Sequence, residues 1–195
     1  MIAFLKGNFV NKTPANLIVE VQGVGYDVQI SLNTFSAINQ LDNGLLYTHL
    51  QITENAHTLF GFATISEKLL FLQLISVSGV GASTARMMLS GMKPEEIVKA
   101  IVQSNTAQLE KIKGIGRKSA ERLIVELKDK LAKIHDINVV EGLQSVPSVV
   151  SDALDALMAL GIGKSLAETT VKKAMKETDQ SVSLETLIKL SLKNL

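Results

Sequence analysis

The stretch LISVSGVGASTARMML (74–89) recurs at a constant offset of 35 residues as LEKIKGIGRKSAERLI (109–124). Gly79 matches Gly114, Val80 matches Ile115, Gly81 matches Gly116 and Ala85 matches Ala120. Each copy reads as a helix, then apolar–x–Gly–apolar–Gly, then a second helix. Glycines one residue apart open backbone conformations closed to other residues and let a ligand come close to the main chain. The residue between them, Val80 or Ile115, is placed to plug the loop into a core. The second helix starts at the loop and turns its unpaired N–H groups and positive dipole end toward an anion. A plain glycine turn explains either copy alone; two copies in phase argue for a phosphate site built twice.

The charge distribution sharpens this. The chain of 195 residues has a formal net charge of only +1, but the charges are segregated. Residues 1–62 carry two Lys or Arg against four Asp or Glu, residues 63–135 carry 12 against 7, and residues 136–195 carry 6 against 8. All of the basic excess lies in the third that holds the repeat. A local basic excess is the footprint of phosphate binding, although a well-solvated helical surface would also produce it.

The flanking thirds have different periods. Residues 1–62 contain AFLKGNFV, LIVEVQ, GYDVQIS, LLYTHLQIT and HTLFGF, separated by NKTPAN, GVG, DNG and TENA. Short β-branched and aromatic runs between such breakers predict five or six strands, and a small OB-fold barrel is the leading arrangement. LNTFSAINQL (32–41) reads as a short helix within the series, and TPAN as a hairpin turn. From residue 65 the pattern is helical: ISEKLLFLQLI, ASTARMMLSGM, KPEEIVKAIVQ and RKSAERLIVELKDKLAKI. In the last of these Ala120, Leu123, Ile124, Leu127 and Leu131 form one apolar stripe. Glu126 with Lys130, and Asp129 with Lys133, are spaced to pair on its wet side. Residues 136–148 break the period and read as a linker. Residues 149–195 predict three short helices, a unit near the lower size limit for its own core. The fold class expected is α+β multidomain: barrel (1–62), tandem hairpins (63–135), linker (136–148) and a small three-helix, UBA-like domain (149–195).

A nucleotide phosphate is the rival occupant of the loops. A Walker A site needs Gly-x-x-x-x-Gly-Lys-Ser/Thr after a strand. At Gly116 the next residue is Arg117, and GIGKS (161–165) has Met158 where the first glycine belongs. A helix precedes both loops, so neither fits an ATPase. Nucleic-acid backbone is the better source of the phosphate, held without base readout.

Taken together, VQGVGYDV (21–28), TENAHTLFGF (53–62), SGVGASTARMMLSGM (78–92) and KGIGRKSAERLIVELKDK (113–130), in that order, resemble the RuvA family of Holliday-junction-binding proteins. The resemblance covers essentially the whole chain. It implies a non-catalytic subunit with no cofactor, no metal and no membrane association, working in the cytoplasm in recombination and DNA repair. It implies a homotetramer that holds a four-way junction open and square-planar. It leaves one or two tetramers per junction open. The expected partners are junction DNA, the hexameric AAA+ motor RuvB, recruited by the C-terminal domain, and the resolvase RuvC. DNA-binding positions carried over are Gly79, Gly81, Ser83, Thr84, Lys113, Gly114, Gly116, Arg117, Lys118 and Ser119. The turn at Glu54 and Asn55 matches the family's acidic pin.

Two departures stand out. Ser83 occupies a position that is basic in many relatives, with Arg86 one turn later; the pin has one acid where relatives place two. The second hairpin, with Lys113, Arg117 and Lys118, is therefore expected to supply more of the attraction, and the pin to be weaker. Leu157, Leu160, Ile162, Leu187 and Leu190 are candidates for the motor-binding surface, against the commoner use of such residues as core.

Two other readings compete. Five of the six phenylalanines (Phe4, Phe9, Phe35, Phe60, Phe62) lie in the first 62 residues, so the barrel could be a stacking platform for single strands. That segment is net acidic, which suits a backbone-tracking groove poorly. A nuclease would need clustered acids to hold Mg²⁺, and the acids of the basic third are mostly interleaved with lysines. His49, His57 and His135 lack carboxylates at ligand spacing, and there is no cysteine for a disulfide or metal site. The start MIAFLKGNFV has no apolar run of signal-peptide type.

Overall fold

The computed structural model describes residues 1–140, 149–176 and 182–194, with the side chains of 133–140, 151 and 176 left aside. Contacts divide the chain into two units, Met1–Asp136 and Ile137–Leu195.

The first unit begins with five strands: β1 (Phe4–Lys12), β2 (Asn16–Val21), β3 (Val24–Ile30), β4 (Asn43–Ile52) and β5 (His57–Phe62). They close in the order β1-β2-β3-β5-β4 and back to β1, a five-stranded barrel that agrees with the OB-fold expected from the five or six short runs. All pairings are antiparallel except β3 with β5, where Val28 faces Leu59 and Ile30 faces Gly61. A register shift between Phe9 and Asn11 bends β1, which pairs with both β2 and β4. Alternation sends Leu17, Val19, Val28 and Ile30 inward, where they meet Leu5, Phe9, Leu46 and Leu59. The hairpin between β1 and β2 turns through TPAN, with the Thr13 N–H on the Asn16 carbonyl at 2.8 Å.

Helix α1 (Leu32–Ile38) falls within the short helix expected between strands, capped by Ser31, whose hydroxyl accepts from the Thr34 N–H. Its Ile38 enters the barrel core. After β5 come α2 (Ile65–Ile75), α3 (Ala82–Gly91), α4 (Pro94–Val102), α5 (Thr106–Leu109) and α6 (Arg117–Val140). The apolar stripe of α6 is buried from Ala120 to Leu131. It joins one continuous core with Leu70, Phe71 and Leu74 of α2, Met88 and Leu89 of α3, and Phe60 and Phe62 of the barrel. Phe71 sits at its centre, with tilted ring contacts to Phe60 (5.2 Å), Phe62 (4.9 Å) and His49 (5.7 Å). Burial, with a smaller effect from Lys68, lowers the pKa of His49 below the ordinary imidazole range.

The structure refines three sequence expectations. α6 continues to Val140, five residues into the stretch read as linker; residues 141–148 lie outside the described residues. Glu126 pairs back to Arg122 (Nε–Oε1 3.8 Å) instead of forward to Lys130, and the side chain of Lys133 is not among those described. The helix before the second hairpin, α5, has only four residues, capped by the Asn105 side chain.

The second unit contains α7 (Val149–Ala159), α8 (Lys164–Lys176) and α9 (Leu184–Lys193). They pack around Ala153, Leu157, Ala167, Val171, Ala174 and Leu187. Leu157 and Leu187 are fully buried there, so neither offers a docking surface; their spacing marks a core face. Ile162 and Leu190 are partly buried against the same core, and only Leu160 of the five candidates is well exposed, at 63%.

Candidate nucleic-acid interface

The two glycine loops make corresponding turn hydrogen bonds. In the first, the Val80 N–H bonds the Val77 carbonyl at 3.0 Å; in the second, Ile115 bonds Ile112 at 3.0 Å. Each turn has its first glycine in the left-handed region, Gly79 at φ +88° and Gly114 at φ +92°. That backbone is closed to most side chains, so these two glycines are required by the fold. Val77, Val80, Ile112 and Ile115 are buried beneath the loops, as plugs.

The second glycines have a different reason. Gly81 is the N-cap of α3 with extended backbone (φ −81°), and Gly116 precedes α6 without a positive φ. The Gly81 carbonyl accepts the Ala85 N–H and the Gly116 carbonyl accepts the Ala120 N–H, both at 2.9 Å. A Cβ added at either position would meet nothing within 4 Å. Nothing inside the protein asks for glycine there.

Helix capping elsewhere makes the contrast. Ser31, Thr64, Asn105 and Ser183 each accept a bond from the third N–H of the helix they open. At Lys93 the cap N–H is taken by Glu96 instead, at 3.1 Å. Gly81 has no side chain to do this, so the first amides of α3 are left for an outside acceptor. Both loops lie open to solvent, with Gly79, Gly81, Ser83, Lys113, Gly114, Gly116, Arg117 and Lys118 exposed and Thr84 and Ser119 half-buried.

The hairpins brace one another reciprocally. Arg122 of α6 donates through Nη1 to the Ser78 carbonyl (3.1 Å) and reaches within 4.0 Å of a Cβ position on Gly79. Met87 of α3, the residue 35 positions earlier, places its Sδ 3.8 Å from the same point on Gly114. This is a local two-fold relation between the copies, and Arg122 is a residue that sequence reasoning left out.

The basic side chains differ in their freedom. Arg117 is bound to Glu121 (Nε–Oε1 2.9 Å), and that hydrogen bond, with the Glu121 charge, raises its pKa further above the usual guanidinium value. Part of its charge is therefore answered locally. Arg86, the nearest cation on the first copy's own helix, donates to the Ala15 carbonyl of the barrel at 3.2 Å. Glu54 and Asn55 stand exposed at the tip of the β4–β5 turn, which the Thr53 N–H closes on the Ala56 carbonyl at 2.9 Å. The barrel's aromatics are core: Phe9, Phe60 and Phe62 are buried and Phe35 packs against the barrel interior, leaving Phe4 exposed. A single-strand stacking platform would need several exposed rings. Among the described residues no three His, Cys, Asp or Glu side chains gather at metal-binding distance, and no helix is long and apolar enough to cross a membrane.

Family models match along the chain: the RuvA N-terminal domain at residues 1–61, a SAM-like helix-hairpin-helix tandem at 71–129 and the RuvA C-terminal domain at 148–195. Among similar proteins, one from Christiangramia forsetii is 45% identical over all of both chains. One from Flavobacterium psychrophilum is 44% identical, also over all of both chains, and one from Amoebophilus asiaticus is 43% identical over 99% of this chain and 100% of its own. Each is described as a Holliday junction branch migration complex subunit RuvA. With barrel, paired hairpins and C-terminal helices all matched in order, this chain belongs to the RuvA family.

Proposed function

We propose that this protein binds four-way DNA junctions and serves branch migration as the non-catalytic subunit that holds the junction for a separate motor. One observation carries the reading: Gly81 and Gly116 open two helices, in phase, at positions where only an outside group needs the room. Phosphate fits that description, since it accepts several N–H bonds and favours the positive end of a helix. The contacts are to backbone phosphate and carry no base information, as a ligand defined by shape requires. The exposed turn at Glu54 and Asn55 acts as the pin, repelling phosphates at the junction centre with one acid per subunit. A gel-shift titration at fixed salt, without nucleotide, tests the whole reading. A four-way junction should bind at least about a hundredfold tighter than duplex or single strands of the same sequences, a preference that can reach the thousandfold or more typical of specific over non-specific binding. Equal or better binding to single strands would overturn it.

Lys118 is exposed and adjoins the second loop. Lys118→Ala is expected to weaken binding to all sequences alike and to lower the salt dependence of log K by about one unit of slope, read from titrations at several salt concentrations.

The working unit is a homotetramer, and α2 supports this. Seven of its eleven residues are Ile, Leu or Phe, a composition that belongs to a helix covered on all sides. In the single chain Ile65 is 48% and Leu69 54% exposed, one turn apart on the same face. The Lys68 ammonium donates to the Ala3 carbonyl (3.3 Å), which brings this face beside the start of β1, where Phe4 is 55% exposed. A second copy covers this surface. Leu69→Glu is expected to leave the protomer folded and to give monomers by light scattering; unchanged mass would place the interface elsewhere.

The C-terminal unit recruits the AAA+ motor through the turn between α7 and α8. Met158, Leu160 and Leu166 are exposed there, around the partly buried Ile162. This replaces the buried Leu157 and Leu187 with neighbours that a partner can reach.

A further inference from the structure

Helix α1 connects two barrel strands, yet its first turn is bonded almost entirely to the helical half of its unit. Asn33 donates through Nδ2 to the carbonyls of Leu89 (2.5 Å) and Met92 (2.8 Å). These carbonyls belong to the end of α3, where helical partners run out, so a barrel side chain caps that helix. The Leu32 N–H adds a bond to Ser90 Oγ at 3.1 Å, and that hydroxyl donates to the Arg86 carbonyl at 2.9 Å. One residue to either side, Ser31 and Thr34 donate to the two oxygens of Glu67 on α2. α3 is thus held to the barrel at its C-terminal end by Asn33 and Ser90, and farther along by Arg86 on the Ala15 carbonyl. The opposite end of α3 is Gly81, the first phosphate seat.

We propose that Asn33 is a positioning residue for junction recognition: its two bonds fix the direction of α3, and so the place of the first hairpin relative to the barrel that carries Glu54 and Asn55. The inference rests on the junction-binding reading. A duplex arm needs only the hairpins. A junction must satisfy the hairpins and the central turn together, so it alone senses the angle between α3 and the barrel. A 10° swing at one end of a ten-residue helix, ~15 Å long, moves the other end by roughly 2.5 Å, enough to unmake a hydrogen bond.

The test compares equilibrium binding of the full-length protein and its Asn33→Leu, Asn33→Ala and Ser90→Ala variants to a four-way junction and to a linear duplex of the same arms. Asn33→Leu keeps the branching and heavy-atom count of the side chain while removing both N–H donors. The expected result is a junction preference reduced roughly tenfold with duplex affinity changed less than about threefold, the Ser90→Ala effect being smaller in the same direction. Thermal melting run in parallel identifies any variant that fails to fold; Ser90→Ala, which removes one acceptor and leaves Asn33 in place, then decides. Equal losses on junction and duplex would mean that the change merely damages the hairpin and would overturn the proposal, as would an unaltered ratio. A wild-type protein without junction preference would instead overturn the functional reading beneath it.

Discussion

Gly116→Val is expected to reduce junction affinity by ten- to a hundredfold while leaving the fold intact. The position has ordinary backbone and 4 Å of empty space around a new Cβ, so nothing in the protein resists the substitution. What the side chain meets is the ligand: a phosphate seated on the first amides of α6 would overlap it. Losing charge-assisted bonds of this kind costs about 1.5–3 kcal/mol each, and RT converts that to the stated range. Gly114→Val is the instructive partner. Its φ of +92° adds backbone strain, so it lowers stability as well as binding. Equilibrium titration and thermal melting of both variants separate the two effects. Normal junction binding by a folded Gly116→Val protein would remove the loop from the interface.

The second large effect concerns stability. Glu67 is 3% exposed and has no cationic partner; its Oε1 accepts from Ser31 Oγ at 2.5 Å and its Oε2 from Thr34 Oγ1 at 2.7 Å. Each hydroxyl is itself an acceptor, Ser31 from the Thr34 N–H and Thr34 from the Ala63 N–H. Every proton in this small network has one place to go, and no buried side-chain polar atom among the described residues lacks a partner. Glu67→Ala strands two buried hydroxyls and opens a void. Each stranded group costs about 1–3 kcal/mol, so a loss of roughly 3–5 kcal/mol is expected, read as a Tm lower by some 10–15 °C. Glu67→Gln should fall between, because its amide nitrogen turns a donor toward a hydroxyl that is already donating. A Tm within about 2 °C of wild type in Glu67→Ala would show that the network carries little.

How much of this could be read from the residues depends on distance along the chain. The phase of the repeat fixed which glycines correspond, and the structure returns matching turns, plugs and helix starts because all of that is decided within a dozen residues. The strands were legible for the same reason: period-two apolar runs between Gly, Pro and Asn breakers leave few alternatives. Glu67 was not, since it looks like any acid in a first helical turn until Ser31 and Thr34, more than thirty residues away, arrive beside it. Arg86 reads from the sequence only as a cation one turn beyond Ser83, and nothing local shows that its guanidinium is engaged by a carbonyl 71 positions earlier. Apolar spacing in α7 and α9 marked a buried face correctly but could not separate Leu157 at its centre from Leu160 beyond its edge. Periodicity gives direction around a helix, and burial also depends on what lies opposite.

The reciprocal contacts of Arg122 and Met87 have a bearing on entropy. With each loop lying against the other's helix, the two proposed phosphate seats would keep a fixed separation whether or not DNA is present. A double helix already holds its phosphates at set intervals, so it docks without being reshaped. A single strand must first freeze its torsions into that spacing, surrendering disorder that the contacts then have to offset. Discrimination against single strands would follow from this stiffness alone, with no group anywhere in the protein that recognises a base pair.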